Sequence, residues 1–175
     1  MVKEEVMAKL VQYKDSLIDW GFMPPMGFTI GSFCTIEKNV SIGKNVQIGD
    51  YVKIPDGSII GDNTIIGSYV RLGKNCKIGK NCKLKIRTTI SPDTIIGDDV
   101  FMGPHSMILH ATPDGAHLPS VIGDGAWIGA CALIGPDVMI GKGVMIGAMA
   151  FAHKNCDLEN GIYLGSPARF IRSRK

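Results

Sequence analysis

From Ile30 to Ile108 every sixth residue is a large aliphatic side chain, and the period never slips. The series runs Ile30, Ile36, Ile42, Ile48, Ile54, Ile60, Ile66, Leu72, Ile78, Leu84, Ile90, Ile96, Met102 and Ile108. Gly usually follows, as at Gly43, Gly61, Gly79 and Gly97, and the residue two before each member is usually Val, Cys, Thr or Ser. Such a period fits neither the 3.6 of an α-helix nor the strict alternation of a hairpin ladder. It suits a short strand followed by a sharp corner, repeated around a prism. The aliphatic residue points inward, Gly eases the turn, and Asn, Asp and Lys occupy the exposed corner. Three such strands close one coil of 18 residues, and successive coils stack by parallel hydrogen bonding at about 4.8 Å per layer. Each coil can bury its apolar side only against its neighbours, so the array forms as a unit. The expected fold class is all-β, a parallel β-helix of hexapeptide repeats.

After Ile108 the register breaks and resumes at Ile122, Ile128, Ile134, Ile140 and Ile146, continuing through Ala152, Leu158 and Leu164. An insertion of about eight residues therefore lies within Leu109 to Ser120, whose Pro, Asp, Gly and His content reads as a loop. A loop projecting from a stiff solenoid is a natural place for function. Ahead of the coils, Val6, Leu10 and Leu17, with Met7, Val11 and Ile18 beside them, repeat at helical spacing until Gly21, and Pro24 and Pro25 mark the exit. The spacing predicts a helix that caps the first coil. The expected organisation is a helix and connector over 1–28, a β-helix over 29–168 with a loop insertion near 109–120, and a basic tail over 169–175. Phe33, Tyr51, Tyr69 and Phe101 stand at outward positions and are compatible with side-by-side association.

The formal charge of +3 is small, and the basic stretch from Lys74 to Lys85 carries no interleaved aromatics, which argues against a nucleic-acid partner. No apolar run approaches the roughly 20 residues of a membrane-spanning helix. The opening stretch carries Glu4, Glu5, Asp15 and Asp19, unlike a secretory signal, so a cytoplasmic protein is expected. The cysteines form no C-x-x-C pair, and Cys34, Cys76 and Cys82 occupy a repeat position usually held by Val. They are expected to be small core residues.

The Ile-Gly array, broken by a loop and followed by Ala126-Trp127-Ile128-Gly129-Ala130, resembles the left-handed β-helix acetyltransferases, as does the terminal Gly165-Ser166-Pro167-Ala168-Arg169. The resemblance covers about residues 29 to 172. It implies a left-handed coil, a homotrimer, and acetyl-CoA bound as acyl donor in the groove between neighbouring chains, with a small-molecule acceptor near the interrupting loop and no metal. It places Gly129, Ala130, Ala148 and Pro167 beside the pantetheine arm, where small side chains let a narrow ligand approach the backbone. Lys154, Arg169 and Arg172 would meet CoA phosphates, or else are solvated charges. Acetyl transfer requires a base for the incoming hydroxyl or amine and donors for the developing oxyanion. Three of the four histidines, His105, His110 and His117, lie in or beside the loop. The resemblance favours a loop histidine as base, His110 ahead of His117, and a backbone amide near Gly129 as oxyanion donor.

Two other readings stay open. The γ-class carbonic anhydrases share this fold and hold metal with an H-x4-H pair, a spacing that His105 and His110 reproduce. They require a third histidine upstream, and this chain has none before His105. A non-enzymatic scaffold is the other. Trp127 leans towards the transferase. Acceptor identity, O- versus N-transfer and acyl-chain preference are not legible from the sequence.

Overall fold

The computed structural model describes residues 17–18, 22–111 and 115–174. Within them the chain is a left-handed parallel β-helix with no α-helix. Two-residue strands recur every six residues and stack into three sheets. Sheet 1 begins at Thr29–Ile30 and runs through Phe101–Met102 and Trp127–Ile128 to Met145–Ile146. Sheet 2 contains Thr35–Ile36 through Thr89–Ile90 and Met107–Ile108 to Phe151–Ala152. Sheet 3 contains Ser41–Ile42 through Ile95–Ile96 and Val121–Ile122 to Met139–Ile140. Partners within a sheet are 18 residues apart, as in Lys77↔Ile59 and Leu84↔Ile66, except across the insertion, where Ile95 pairs with Val121, and at the last parallel pair, Met145 with Ile162.

The second residue of nearly every strand is inside. Ile54, Ile60, Ile66, Leu84, Ile90, Ile108, Ile128 and Ile134 are fully buried, and each such side chain stabilises the array by about 1.5–3 kcal/mol. The buried column at the corners holds Val, Ala, Thr, Ser and, as expected, Cys34, Cys76 and Cys82.

Each corner turns through one residue in the left-handed region. Phe33, Asn39, Asn45, Tyr51, Asn63, Tyr69, Asn75, Asn81, Arg87, Asp93, Asp99 and His105 have φ between 55 and 61°, and Gly57 fills the one gap at 73°. This explains the Asn and Asp of the repeat, since their short polar side chains tolerate that region. Phe33, Tyr51, Tyr69 and Arg87 are less usual there. They lie in one column, at the corner between sheets 1 and 2, and cover one another: Phe33 stacks on Tyr51 at 4.9 Å, Tyr51 on Tyr69 at 4.8 Å, and Arg87 lies over Tyr69 at 5.4 Å. Phe101 is elsewhere, on sheet 1, against Trp127 at 4.3 Å.

The ends depart from the simple repeat. Leu17–Ile18, which the sequence spacing places on a helix, instead pairs in parallel with Thr35–Ile36 as the first strand of sheet 2. The remainder of that expected helix lies outside the described residues. At the other end the phase fails after Ala152. Leu158 and Leu164 are exposed, and Cys156 and Tyr163 turn inward instead. Tyr163 takes the place beside Ile146 because Gly161–Leu164 joins sheet 1 one residue out of phase with the hexad series. Residues 169–173, expected as a tail, form a strand antiparallel to Gly161–Leu164. Its docking closes the top edge of sheet 1, while Gly165 and Ala168 hydrogen-bond both backbone groups of Phe151 and close sheet 2.

Candidate functional site

The insertion sits at the corner between sheets 2 and 3, joining Met107–Ile108 to Val121–Ile122. Its ends are anchored by buried hydroxyls. Ser91 Oγ donates to the carbonyl of Ile108, and Ser120 Oγ donates to Gly135 O at 3.0 Å while accepting from Val138 N–H at 3.1 Å. Between these anchors the chain doubles back. Ala111 and His117 form an antiparallel bridge, and Leu118 N–H donates to His110 O at 2.7 Å. Asp137, in the coil above, donates its N–H to Leu118 O at 3.1 Å. The loop is thus a small hairpin folded against the corner.

That hairpin brings His110 and His117 together, with ring centroids 5.1 Å apart and planes at 82°, edge to face. His117 Nε2 lies 3.4 Å from Asp93 Oδ2, and Asn75 Nδ2 donates to the other oxygen, Asp93 Oδ1, at 3.0 Å. Asn75, Asp93 and His117 therefore form a polar chain leading from the rigid corner into the loop, and the His110 ring packs edge to face against its end. A carboxylate beside one ring nitrogen orients an imidazole and leaves the other nitrogen for an incoming group. Asp93 and Asn75 escape sequence reasoning because they occupy ordinary corner positions of the repeat. The usable signal was arithmetic: Asp93 is 18 residues, one coil, before Ala111, which bridges to His117.

Lys154 lies at the same corner, exposed, two coils above His110. His105 does not join this group. It is at the corner between sheets 1 and 2, across sheet 2 from His110. The H-x4-H pair thus flanks a strand and does not converge within one chain, and among the described residues no three His, Cys, Asp or Glu side chains are grouped to hold a metal ion.

Gly129, Ala130 and Ala148 also follow sheet 1, at that other corner, as does the turn bearing Pro167, which docks on Phe151. Arg169 and Arg172 are exposed on the adjoining final strand. Gly129 has a structural reason to be glycine: a Cβ there would stand 2.4 Å from Ala148 N, far inside contact distance. Its own amide donates to Ile146 O at 2.8 Å. Ala130 is different. At equivalent corner amides, Ser32 donates to Asp50 Oδ1, Lys44 to Asp62 Oδ1, Lys80 to Asp98 Oδ1 and Asp50 to Ser68 Oγ. The residue one coil beyond Ala130 is Ala148, which has no side-chain acceptor to offer.

The residues singled out by sequence thus form two groups on opposite edges of sheet 2: His110, His117 and Lys154 on one, where Asp93 joins them, and Gly129, Ala130, Ala148 and Pro167 on the other.

The model of bacterial transferase hexapeptide repeats matches residues 39–74, 75–110 and 119–154. The chain belongs to this family. Among solved structures it is similar to a UDP-N-acetylglucosamine acyltransferase from Campylobacter jejuni, with a TM-score of 0.69 and 19% identity over 91% of this chain and 73% of that one. It is also similar to a variant of AntD, an N-acyltransferase from Bacillus cereus in complex with dTDP and coenzyme A, with a TM-score of 0.63 and 23% identity over 84% of each chain. A third is a variant of perosamine N-acetyltransferase from Caulobacter crescentus in complex with CoA and GDP-perosamine, with a TM-score of 0.51 and 20% identity over 82% of this chain and 57% of that one. At these identities the likeness is one of fold. No curated protein matches the sequence.

Proposed function

We propose that this protein is an acetyl-CoA-dependent acetyltransferase that acts on a hydroxyl or amine of a sugar or sugar nucleotide. The observation that carries the reading is the chain Asn75–Asp93–His117 with the His110 ring packed against its end, which places two imidazoles at the one irregular segment of the solenoid and backs one of them with a carboxylate. The structural neighbours named above include two complexes with CoA, and the compartment this activity implies is the cytoplasm.

In the proposed reaction His110 takes the proton from the acceptor as its oxygen or nitrogen attacks the thioester carbon. The tetrahedral oxyanion is stabilised by a backbone amide, CoA leaves as the thiol, and the acetyl group is on the acceptor. Ala130 N–H, without a side-chain acceptor above it, supplies a donor for the thioester oxygen or for the pantetheine arm, and Lys154, Arg169 and Arg172 stand in reach of the CoA phosphates. Because the histidines and the Ala130 corner face apart across sheet 2, one chain does not bring them to a single point. A homotrimer in which the loop corner of one copy meets the Ala130 corner of the next completes the site, and supports trimerisation as part of the proposal.

The His117–Asp93 contact favours a second assignment within the same mechanism, with His117 as the base and His110 packed against it. Acetyl-CoA binding by titration calorimetry, followed by an acceptor screen that detects free thiol, tests the reading. Micromolar binding and thiol release that depends on the acceptor are expected. Absence of any acetyl-CoA binding would remove the transferase.

A further inference from the structure

The basic stretch from Lys74 to Lys85, with Arg71 and Arg87 on either side of it, winds once around the prism. Arg71, Lys74, Lys77, Lys80, Lys83 and Arg87 are distributed over all three sheets and their corners. Part of this belt faces a cavity. A groove of about 670 Å³ on sheet 2 is lined by Arg71, Lys74 and Lys53, with Tyr51 and Tyr69 along one side and Pro92 at the upper end. Its size is that of a small-molecule site.

The charges in the groove are not equivalent. Lys53 Nζ pairs with Glu37 Oε1 at 2.6 Å, and Glu37 Oε2 also accepts from Asp56 N–H at 2.9 Å, so that carboxylate is fully engaged. Among the described residues neither Arg71 nor Lys74 pairs with a carboxylate. The Lys74 charge is felt by Glu37, but that carboxylate is held by Lys53 and the Asp56 amide. Two cations in one groove without a contacting carboxylate suit an anion with more than one charged group, and a guanidinium fork beside a point charge suits phosphate oxygens. The aromatic wall is pre-ordered. Both faces of Tyr51 are covered, by Phe33 and Tyr69, and the second face of Tyr69 lies under Arg87. What these rings offer the groove is edges and hydroxyls, suited to packing along a ribose and base rather than to sandwiching one.

Position connects the groove to the loop. Pro92 closes its upper end, and the next residue, Asp93, holds His117 and donates its N–H to Lys74 O at 2.9 Å. An anion on Arg71 and Lys74 would therefore lie about one coil, ~4.8 Å, below the carboxylate that supports the histidines. A group attached to that anion and directed upward meets the loop. We propose that the groove holds the nucleoside diphosphate of a nucleotide-linked sugar acceptor, with Arg71 and Lys74 on the diphosphate, Tyr51 and Tyr69 along the nucleoside, and the sugar reaching the histidine pair. This rests on the transferase reading and narrows its acceptor from sugars in general to nucleotide-linked ones.

The test is calorimetric titration of the full chain with UDP, GDP and dTDP, with inorganic pyrophosphate, and with acetyl-CoA, repeated on the Arg71→Ala/Lys74→Ala double variant. Both side chains are exposed, so the variant is expected to fold, and its melting temperature and unchanged acetyl-CoA affinity verify that. At least one nucleoside diphosphate should bind, and the double variant should lose tenfold or more of that affinity. No binding of any of the three nucleotides to the unmodified protein, or equal binding by the double variant, overturns the groove assignment while retained acetyl-CoA binding leaves the transferase standing. Pyrophosphate binding as tightly as the nucleoside diphosphates overturns the nucleoside half. Nucleotide binding lost in the variant, with no acetyl-CoA binding by either protein, supports the groove and removes the transferase.

Discussion

His117 reaches from the inserted loop to Asp93 on the coil below, Nε2 to Oδ2 3.4 Å, although 24 residues separate them in sequence. The contact ties the returning arm of the hairpin to a corner residue that Asn75 already holds in place. Three substitutions separate the roles along this chain. His110→Ala is expected to lower kcat by roughly 100-fold or more, the scale of a positioned base. His117→Ala and Asp93→Asn should fall together and by less, because both loosen the support of the same pair. Full activity in His110→Ala, with collapse in the other two, would transfer the base to His117. Steady-state kinetics with acetyl-CoA binding measured alongside decides between them.

The cysteines divide sharply. Cys34, Cys76, Cys82 and Cys156 are buried and Cys131 is exposed at a corner. Burial pushes the thiols of Cys76, Cys82 and Cys156 up to about 11. In the native protein one thiol should react promptly with a disulfide reagent, and all five after unfolding. Stability should also respond to alkali. A thiol whose folded value lies above its unfolded value of about 8.5 keeps its full contribution below that pH and loses it as pH rises towards the folded value. Denaturant midpoints should therefore hold steady up to about pH 8.5 and fall progressively towards about pH 11, and Cys76→Val should flatten part of that fall.

How much of this was legible depends on whether a residue's role is repeated. Ile60 and Ile90 are inside because every sixth neighbour is inside, so the period alone placed them, and the loop between Leu109 and Ser120 showed itself as the place where the period failed. Leu158 misled for the complementary reason. The hexad count still reaches it, but Cys156 bridges to Ile140 two residues out of phase and occupies the interior instead. The polar chain was half legible: scarcity drew attention to His110 and His117, whereas Asp93 looked like any other corner residue. Its difference arises only when the hairpin folds back over that particular corner.

The left-handed corners predict an inverted substitution pattern. Asn63 has φ of 59°, accepts from Asn45 Nδ2 at 3.1 Å and donates to Asn81 at 3.2 Å. Asn63→Ala places a Cβ residue without compensation in that region, at about 1–2 kcal/mol, and removes the ladder bonds. Asn63→Gly keeps the backbone at ease and should lose less, although glycine is normally the more damaging replacement. Thermal or denaturant unfolding of the two variants compares them directly. A greater loss for the glycine variant would mean that the extra freedom of glycine in the unfolded chain outweighs the strain of a Cβ at this corner.

Ala148 offers a way to separate stability from binding at the other edge of sheet 2. At the same hexad position Asp50, in the same corner column, and Asp62 and Asp98, at the corner that follows sheet 3, each accept the amide of the residue one coil before. Ala148→Asp would give Ala130 N–H the acceptor that the repeat supplies elsewhere, a gain of about 0.5–1.5 kcal/mol if the hydrogen bond forms normally. The same change occupies the amide and sets a carboxylate where an anionic cofactor is proposed to pass. The variant should therefore melt at or above the temperature of the unmodified protein while binding acetyl-CoA at least tenfold more weakly. Unchanged acetyl-CoA affinity in a protein of raised stability would show that the amide is capped and that the cofactor does not use it, and would move the pantetheine path away from Ala130. Lower stability would mean that the small residue is required by packing at the corner, and the smaller change Ala148→Ser, which mimics Ser68, would then carry the comparison.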